Sequence, residues 1–306
     1  MRAITLADFG ATPALTDIPR PTPGAGEVLV RVRASSVNGF DRMAAAGMLK
    51  EMMEYRFPVV LGKDFAGTVE AVGDGTTRFI AGDLVFGVVM KPFLGDGAWG
   101  EFLVVGEQYG ITRIPEGLDP AVAGALGLAG TAAVDSVAAV APKPGDTVLI
   151  SGATGGVGAV AIQYLAAAGA RVVATARPGA EADFVRDLGA TEVVDFTGDL
   201  AAQVRAIAPG GVPGVLHFAG DAALLAGLLA PDGRLASTLG FGSEQHPAAT
   251  SIMASPDAAT LDRLAGDVVA GRLRVPITHR YDLADAPKAL ADFAGGALGK
   301  LAITVS

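Results

Sequence analysis

"TVLISGATGGVG" occupies residues 147–158 and decides how the rest of the chain is read. A β-branched run leads into a segment crowded with glycine, Gly155, Gly156 and Gly158. Glycines directly after a strand permit a tight turn and let the backbone approach a pyrophosphate. The helix that follows then offers its free N–H groups to the anion. "ATGGVG" (153–158) is close to the G-x-G-x-x-G spacing, with Ala153 at the first glycine and Thr154 and Val157 as spacers. A plain turn built from small residues gives the same letters, so the surroundings must choose. A strand precedes the loop, and Val157, Val160, Ala161, Tyr164, Leu165 and Ala168 recur behind it at helical spacing. Gly169 suits the helix C-cap, and a second strand, "RVVATA", follows at about 20 residues from the loop. In that setting the loop reads as a dinucleotide cradle.

Outward from the cradle, "EVVDF", "GVLHFAG" and "RLASTLG" alternate with helical segments. Such alternation implies parallel βαβ units with right-handed crossovers, a doubly wound sheet expected over 119–271. The first third is β-rich instead. "EVLVRVRASSVN" (27–38) places Val28, Val30 and Val32 on one face and Arg31 and Arg33 on the other, the period of a half-buried strand. "GTVEAVG", "DLVFGV" and "GEFLVV" follow, separated by Gly-Asp turns, which predicts a small antiparallel barrel or sandwich. After residue 271, "ITHRYDL" and "KLAITV" flank one helix, and this tail is expected to complete the first domain. The predicted fold class is therefore α/β, with a β-rich domain (1–118 and 272–306) split around the doubly wound domain.

Composition narrows the function. With 32 acidic and 23 basic residues the net charge is −9, which repels phosphate backbones and argues against nucleic acid as a partner. There is no cysteine and there are three histidines, so thiolate metal sites and cysteine nucleophiles are excluded and no zinc site is expected. "MRAITLADFG" lacks the apolar core of a signal peptide, and the uncharged run 120–134 is too short to span a bilayer. The expectation is a soluble cytoplasmic protein without a membrane partner.

The end of the second strand chooses the dinucleotide. NAD sites usually place an acid there for the ribose 2′-hydroxyl, whereas this chain reads "VVATARPG", with Arg177 near that position and no acid before Glu181. A guanidinium fork can pair with a 2′-phosphate, so the cofactor is read as NADP(H); an exposed surface arginine is the alternative.

Taken in order, "PGAGEVLVRVRASSVNGFD", "FPVVLGKDFAGTVEAVGDGTTRFIAGDLVFG", "GALGLAGTAAVDSV", "PGDTVLISGATGGVGAVAIQ", "LGATEVVDF" and "GKLAITV" resemble the medium-chain dehydrogenase/reductase superfamily in its zinc-free quinone oxidoreductase branch. The resemblance covers essentially the whole chain. It implies a GroES-like catalytic domain around a Rossmann domain, an active site in the cleft between them, and a homodimer. The zinc-dependent branch carries its metal on a Cys and on the His of a Gly-His-Glu. Here "GKD" (62–64) replaces the latter and Asn38 stands near the former.

By resemblance, Asn38 is the pocket asparagine that contacts substrate, or else a loop Asn bonding its own backbone. Asp41 orients that loop or relays a proton, and Lys63 hydrogen-bonds substrate or ribose or pairs with a neighbouring carboxylate. Tyr55 is a proton donor or a packed loop tyrosine. Some relatives have tyrosines after the asparagine, where this chain has Met43 and Leu49. "KEMMEYRF" (50–57) reads as an insertion that forms a lid or a dimer edge. On the cofactor side, Thr131 matches a residue that approaches the nicotinamide. Phe196 packs near the adenosine, and Ala219, Leu239 and Phe241 end strands at the cofactor crevice. Lys300 contacts cofactor phosphate or ribose, or is an exposed charge opening a strand. His217 stands where relatives often have Asp and reads as a partly buried histidine.

Without a Lewis acid, hydride must reach a carbon made electrophilic by conjugation, as in a quinone or an enone. A reductase of enoyl-thioester or polyketide intermediates is the second enzyme reading, and a non-catalytic NADPH-binding sensor is the third.

Overall fold

The computed structural model describes residues 1–306, which divide into two compact units, Met1–Leu128 with Pro256–Ser306, and Ala129–Ser255. The first unit contains β1 (Arg2–Leu6), β2 (Ala14–Asp17), β3 (Glu27–Ser36), β4 (Glu54–Tyr55), β5 (Val59–Val60) and β6 (Asp64–Val72). It continues through β7 (Leu84–Val88), β8 (Phe93–Leu94), β9 (Phe102–Gly106) and β10 (Ile111–Arg113). The second unit supplies β11 (Thr147–Ser151), β12 (Arg171–Thr175), β13 (Glu192–Val194), β14 (Val212–His217), β15 (Leu229–Ser237) and β16 (Ala249–Ser251), and the tail returns to the first unit with β17 (Ile277–Asp282) and β18 (Lys300–Thr304). The helices are α1 (Gly39–Ala45), α2 (Pro120–Ala123), α3 (Gly127–Val140), α4 (Gly156–Ala167), α5 (Ala180–Asp187), α6 (Leu200–Ile207), α7 (Ala222–Ala226), α8 (Ala258–Val269) and α9 (Ala286–Ala294).

In the first unit the alternation of β3 is realised as expected: Val28, Val30 and Val32 are buried while Arg31 and Arg33 face solvent. The main sheet has seven strands, ordered β10-β7-β6-β3-β18-β17, with β9 also paired to β3. β18 runs antiparallel to β3, Ile303 opposite Ser35, so the tail does close the first unit's sheet. Its apolar residues Leu301 and Ile303 join Ile4, Val30, Phe65 and Trp99 in one core. "KEMMEYRF" is docked on this unit. Tyr55 and Glu54 pair with β8, and the Tyr55 ring lies 4.9 Å from Phe9 and 5.8 Å from Phe57.

The unit boundaries differ from those read in the sequence, because α2 and α8 belong with the strands. α2 packs on β3, and α8 packs on β10, where the Thr112 hydroxyl donates to Asp262 at 2.5 Å. Residues 119–128 and 256–271 thus lie in the first unit.

The second unit's sheet is all parallel, ordered β13-β12-β11-β14-β15-β16, the strand order of a dinucleotide-binding doubly wound domain. β16, a three-residue edge strand, had no periodic signal. The helix after the glycine loop differs in character from the predicted single-faced one. Residues 158–162 are all buried, Ile162 included, whereas Ala168 is exposed at the C-cap. A helix apolar on nearly every side is a core helix, which is why a stripe alone described it poorly. Gly169 follows the cap with φ +77°, the left-handed conformation glycine adopts without strain.

Candidate functional site

Two sites emerge, one in each unit. In the first unit, β3 runs into α1 through Asn38, which caps the helix, and the strands β6 and β18 bring Asp64 and Lys300 to the same place. All three side chains are buried. Lys300 donates from Nζ to Asn38 Oδ1 (2.7 Å) and to the Val37 carbonyl (3.1 Å), and lies 3.3 Å from Asp64 Oδ2. Asp64 Oδ2 also accepts from the Ser36 hydroxyl (2.6 Å) and from Asn38 Nδ2 (2.9 Å). Its Oδ1 accepts from the Leu128 N–H at 2.8 Å.

This network fixes the Asn38 amide: oxygen toward the ammonium, nitrogen toward the carboxylate. One Nδ2–H is left for another acceptor. Asp64, the last residue of "GKD", was not singled out in the sequence, although a carboxylate opening an apolar strand is a signal of a buried pair. Lys300 is 3% exposed, so it is not a surface charge, and its ammonium is committed inside the first unit.

Asp41 closes the Asn38 turn, its Oδ2 accepting from the Asn38 N–H at 2.8 Å. Burial pushes its pKa up to about 7, and the Asp64 charge adds to this, while the Asn38 N–H, Lys300 and Lys63 pull it back. Lys63 donates to the Val89 carbonyl and sits 4.7 Å above the Phe40 ring. Burial draws its pKa down, against the charges of Asp41 and Asp64. Asp41 and Lys63 line one pocket together with Phe40, Val59 and Leu61. Gly62 beside them has φ +101°, and a Cβ there would come within 2.3 Å of the Trp99 ring, so no other residue fits before Lys63. Tyr55 stands apart, at the far end of α1, where its hydroxyl donates to the Ala44 carbonyl at 3.0 Å.

The donor set does not suit zinc. Asn38 is held through both amide atoms, Lys63 is a donor, and no group of three His, Cys, Asp or Glu side chains is placed to hold a metal.

In the second unit the glycine loop joins β11 to α4. Gly155 is the N-cap, and the N–H groups of the first helical turn have no intrahelical partner. A Cβ built on Gly155 would meet nothing closer than the Gly152 carbonyl oxygen at 3.6 Å, so the surface over the loop is open to a ligand. Gly158 has the opposite role: a Cβ there would lie 2.5 Å from the Gly152 oxygen and 2.6 Å from Ala153 Cα. It lets the helix press on the loop. Gly158→Ala is expected to push the two apart and to weaken dinucleotide binding by about 100-fold or more, with about 1–3 kcal/mol lost from stability. Calorimetric titration and urea melts measure both; wild-type binding in that variant would dismiss this role.

The loop fits a dinucleotide pyrophosphate. Thr154, Gly155, Gly156 and Val157 are partly exposed around it, and Ala153 is buried beneath. Gly152 N–H donates to Thr175 at the end of β12 (3.1 Å), and the Ser151 hydroxyl to the Ala219 carbonyl beyond β14 (2.5 Å). Ala219 and Leu239 are exposed past the C-terminal ends of β14 and β15, the crevice side of such sheets. Phe241 is partly buried and edge-on to His217 at 6.5 Å. Phe196 is half-exposed after β13, and Thr131 is buried within α3. His217 is a satisfied core residue. Its Nε2–H donates to the Gly220 carbonyl (3.1 Å), and Nδ1 accepts from Ser237, whose oxygen takes the Leu239 N–H. Arg177 is exposed two residues beyond β12, its Nε–H on Glu181 Oε1 at 2.7 Å and its Nη2 on the same oxygen.

Comparisons with known proteins agree with this geometry. Residues 24–116 match the alcohol dehydrogenase GroES-like domain family and residues 156–262 the zinc-binding dehydrogenase family. The chain is 37% identical over 302 residues to a mycocerosic acid synthase-like polyketide synthase of Mycobacterium tuberculosis, covering 89% of this chain but only 14% of that protein's length. It is 31% identical to the chloroplastic quinone-oxidoreductase of Triphysaria versicolor, over 72% of this chain and 68% of the relative. Among solved structures, the quinone oxidoreductase from Coxiella burnetii superposes with a TM-score of 0.90 at 26% identity, covering 100% of this chain and 99% of that one. A mycobacterial protein complexed with NADPH superposes at 0.86 with 27% identity and 99% of each chain covered. Two units of these architectures, a nicotinamide-dinucleotide cradle and these relatives lead to one conclusion: the chain belongs to the medium-chain dehydrogenase/reductase superfamily, as an oxidoreductase of its quinone oxidoreductase branch.

Proposed function

We propose that the chain moves hydride from NADPH to a small conjugated acceptor, a quinone or an α,β-unsaturated carbonyl, without a metal. The donor set around Asn38 carries this reading. Its polar atoms are amide, hydroxyl, carboxylate and ammonium groups committed to one another, and none can act as a Lewis acid. An acceptor carbon must then already be electrophilic. NADPH, when bound, supplies the hydride.

The residues of the chain do the rest. The loop Ala153–Gly158 holds the pyrophosphate on the N-terminus of α4, and Arg177 reads the 2′-phosphate. The remaining Nδ2–H of Asn38 donates to the acceptor oxygen as negative charge develops there, from a geometry already fixed by Lys300 and Asp64. A mycobacterial neighbour complexed with NADPH supports the cofactor.

The polyketide synthase relative favours a second reading, reduction of an enoyl thioester. NADPH oxidation followed with quinones, enones and enoyl thioesters separates the two by which class turns over fastest. Asn38→Ala is expected to lower kcat/KM on the best acceptor by about tenfold or more. Tight NADPH binding with no turnover of any class would point to a sensor, and an unchanged kcat/KM would remove Asn38 from the mechanism.

A further inference from the structure

Arg177, the proposed reader of the 2′-phosphate, is not free. Glu181, in the first turn of α5, accepts from the Arg177 backbone N–H through Oε2 (2.8 Å) and from Nε–H and Nη2 through Oε1. The carboxylate therefore grips one edge of the guanidinium and leaves the Nη1 edge outward. A second carboxylate, Asp195 after β13, is close enough for its charge to act on Arg177 as well. Asp195 is itself fixed by the Thr197 N–H (2.9 Å) and hydroxyl (2.7 Å). Two negative charges thus act on the one positive charge offered to a phosphate dianion.

We propose that Glu181 is a specificity-determining residue: it orients the Arg177 fork and at the same time opposes the 2′-phosphate, so the chain discriminates only weakly between NADPH and NADH. The inference rests on Arg177 as the 2′-phosphate reader. A phosphate on the outer edge of the guanidinium sits roughly 6 Å from the Glu181 carboxylate. At an exposed site, the repulsion over that distance is worth about three- to tenfold in affinity, less at high salt. The 2′-hydroxyl of NADH, uncharged, does not feel it. Glutamine at position 181 removes the charge and keeps one acceptor oxygen, enough for the Arg177 guanidinium but not for its backbone N–H as well.

The test is isothermal titration of NADPH and NADH into the wild type, Glu181→Gln and Arg177→Ala. The expected result is NADPH binding about three- to tenfold tighter in Glu181→Gln, NADH unchanged, and the gain shrinking at about 0.5 M salt. Arg177→Ala should weaken NADPH alone. If Arg177→Ala weakens NADPH but Glu181→Gln does not tighten it, Glu181 only positions the arginine and the proposal is overturned while the phosphate reading stands. If Arg177→Ala leaves NADPH binding untouched, both fall together.

Discussion

Lys300→Met is expected to destabilise the first unit by about 3–5 kcal/mol, the usual consequence of removing one partner from a buried ion pair. Asp64 is fully buried, and its Oδ2 would keep the Ser36 and Asn38 donors but lose the opposing charge. Asn38 would lose the donor on Oδ1, freeing the amide to turn over. Stability and the reaction should therefore decline together. Trp99, the single tryptophan, is buried with its indole N–H on the Ser36 carbonyl at 3.3 Å, so its fluorescence reports on this network during a urea melt. Adding Asp64→Asn to Lys300→Met removes the orphaned charge and should recover part of the loss. A shift below about 1 kcal/mol in the single variant would show that the pair contributes little.

Asp41 should make stability fall as pH rises. Its pKa is about 7 in the folded chain against 3.8 for the free side chain. Between those values the unfolded chain gives up the proton and the folded chain keeps it, so the folded state binds more protons and stability declines with pH. The penalty is complete above about pH 7 and reaches about 4 kcal/mol at most. Asp41→Asn keeps an acceptor for the Asn38 N–H and cannot ionise. The variant should gain on the wild type from pH 5 to pH 8, a trend that urea midpoints at each pH measure. Parallel pH profiles in the two proteins would show that Asp41 does not titrate in this range.

Where a local pattern fixes a local structure, the chain was legible. The Val28–Val30–Val32 alternation became β3, and "TVLISGATGGVG" became strand, loop and helix, because both depend on neighbours in sequence. The Arg177–Glu181 pair is also local, four residues apart on a helix entry, yet the sequence names both residues without showing that they pair. Lys300 was illegible in a deeper sense. Its partners Asn38 and Asp64 lie 262 and 236 residues away, and a lysine opening a strand normally faces water. Only the sheet order, with β18 beside β3, brings the ammonium to the asparagine. The unit boundaries failed for a related reason, since α8 carries a helical signal but packs on β10.

The place of β18 has a consequence for how the chain comes off the ribosome. It lies inside the seven-stranded sheet between β3 and β17, and Lys300 is its first residue. Until that strand has been synthesised, the Ala34–Ser36 end of β3 lacks its β18 partner and Asp64 lacks its counter-ion. Residues 129–255 are complete well before then. The Rossmann unit can therefore form co-translationally, while the GroES-like unit waits for the last strand to be threaded into its sheet, a late, long-range closure of the kind that folds slowly.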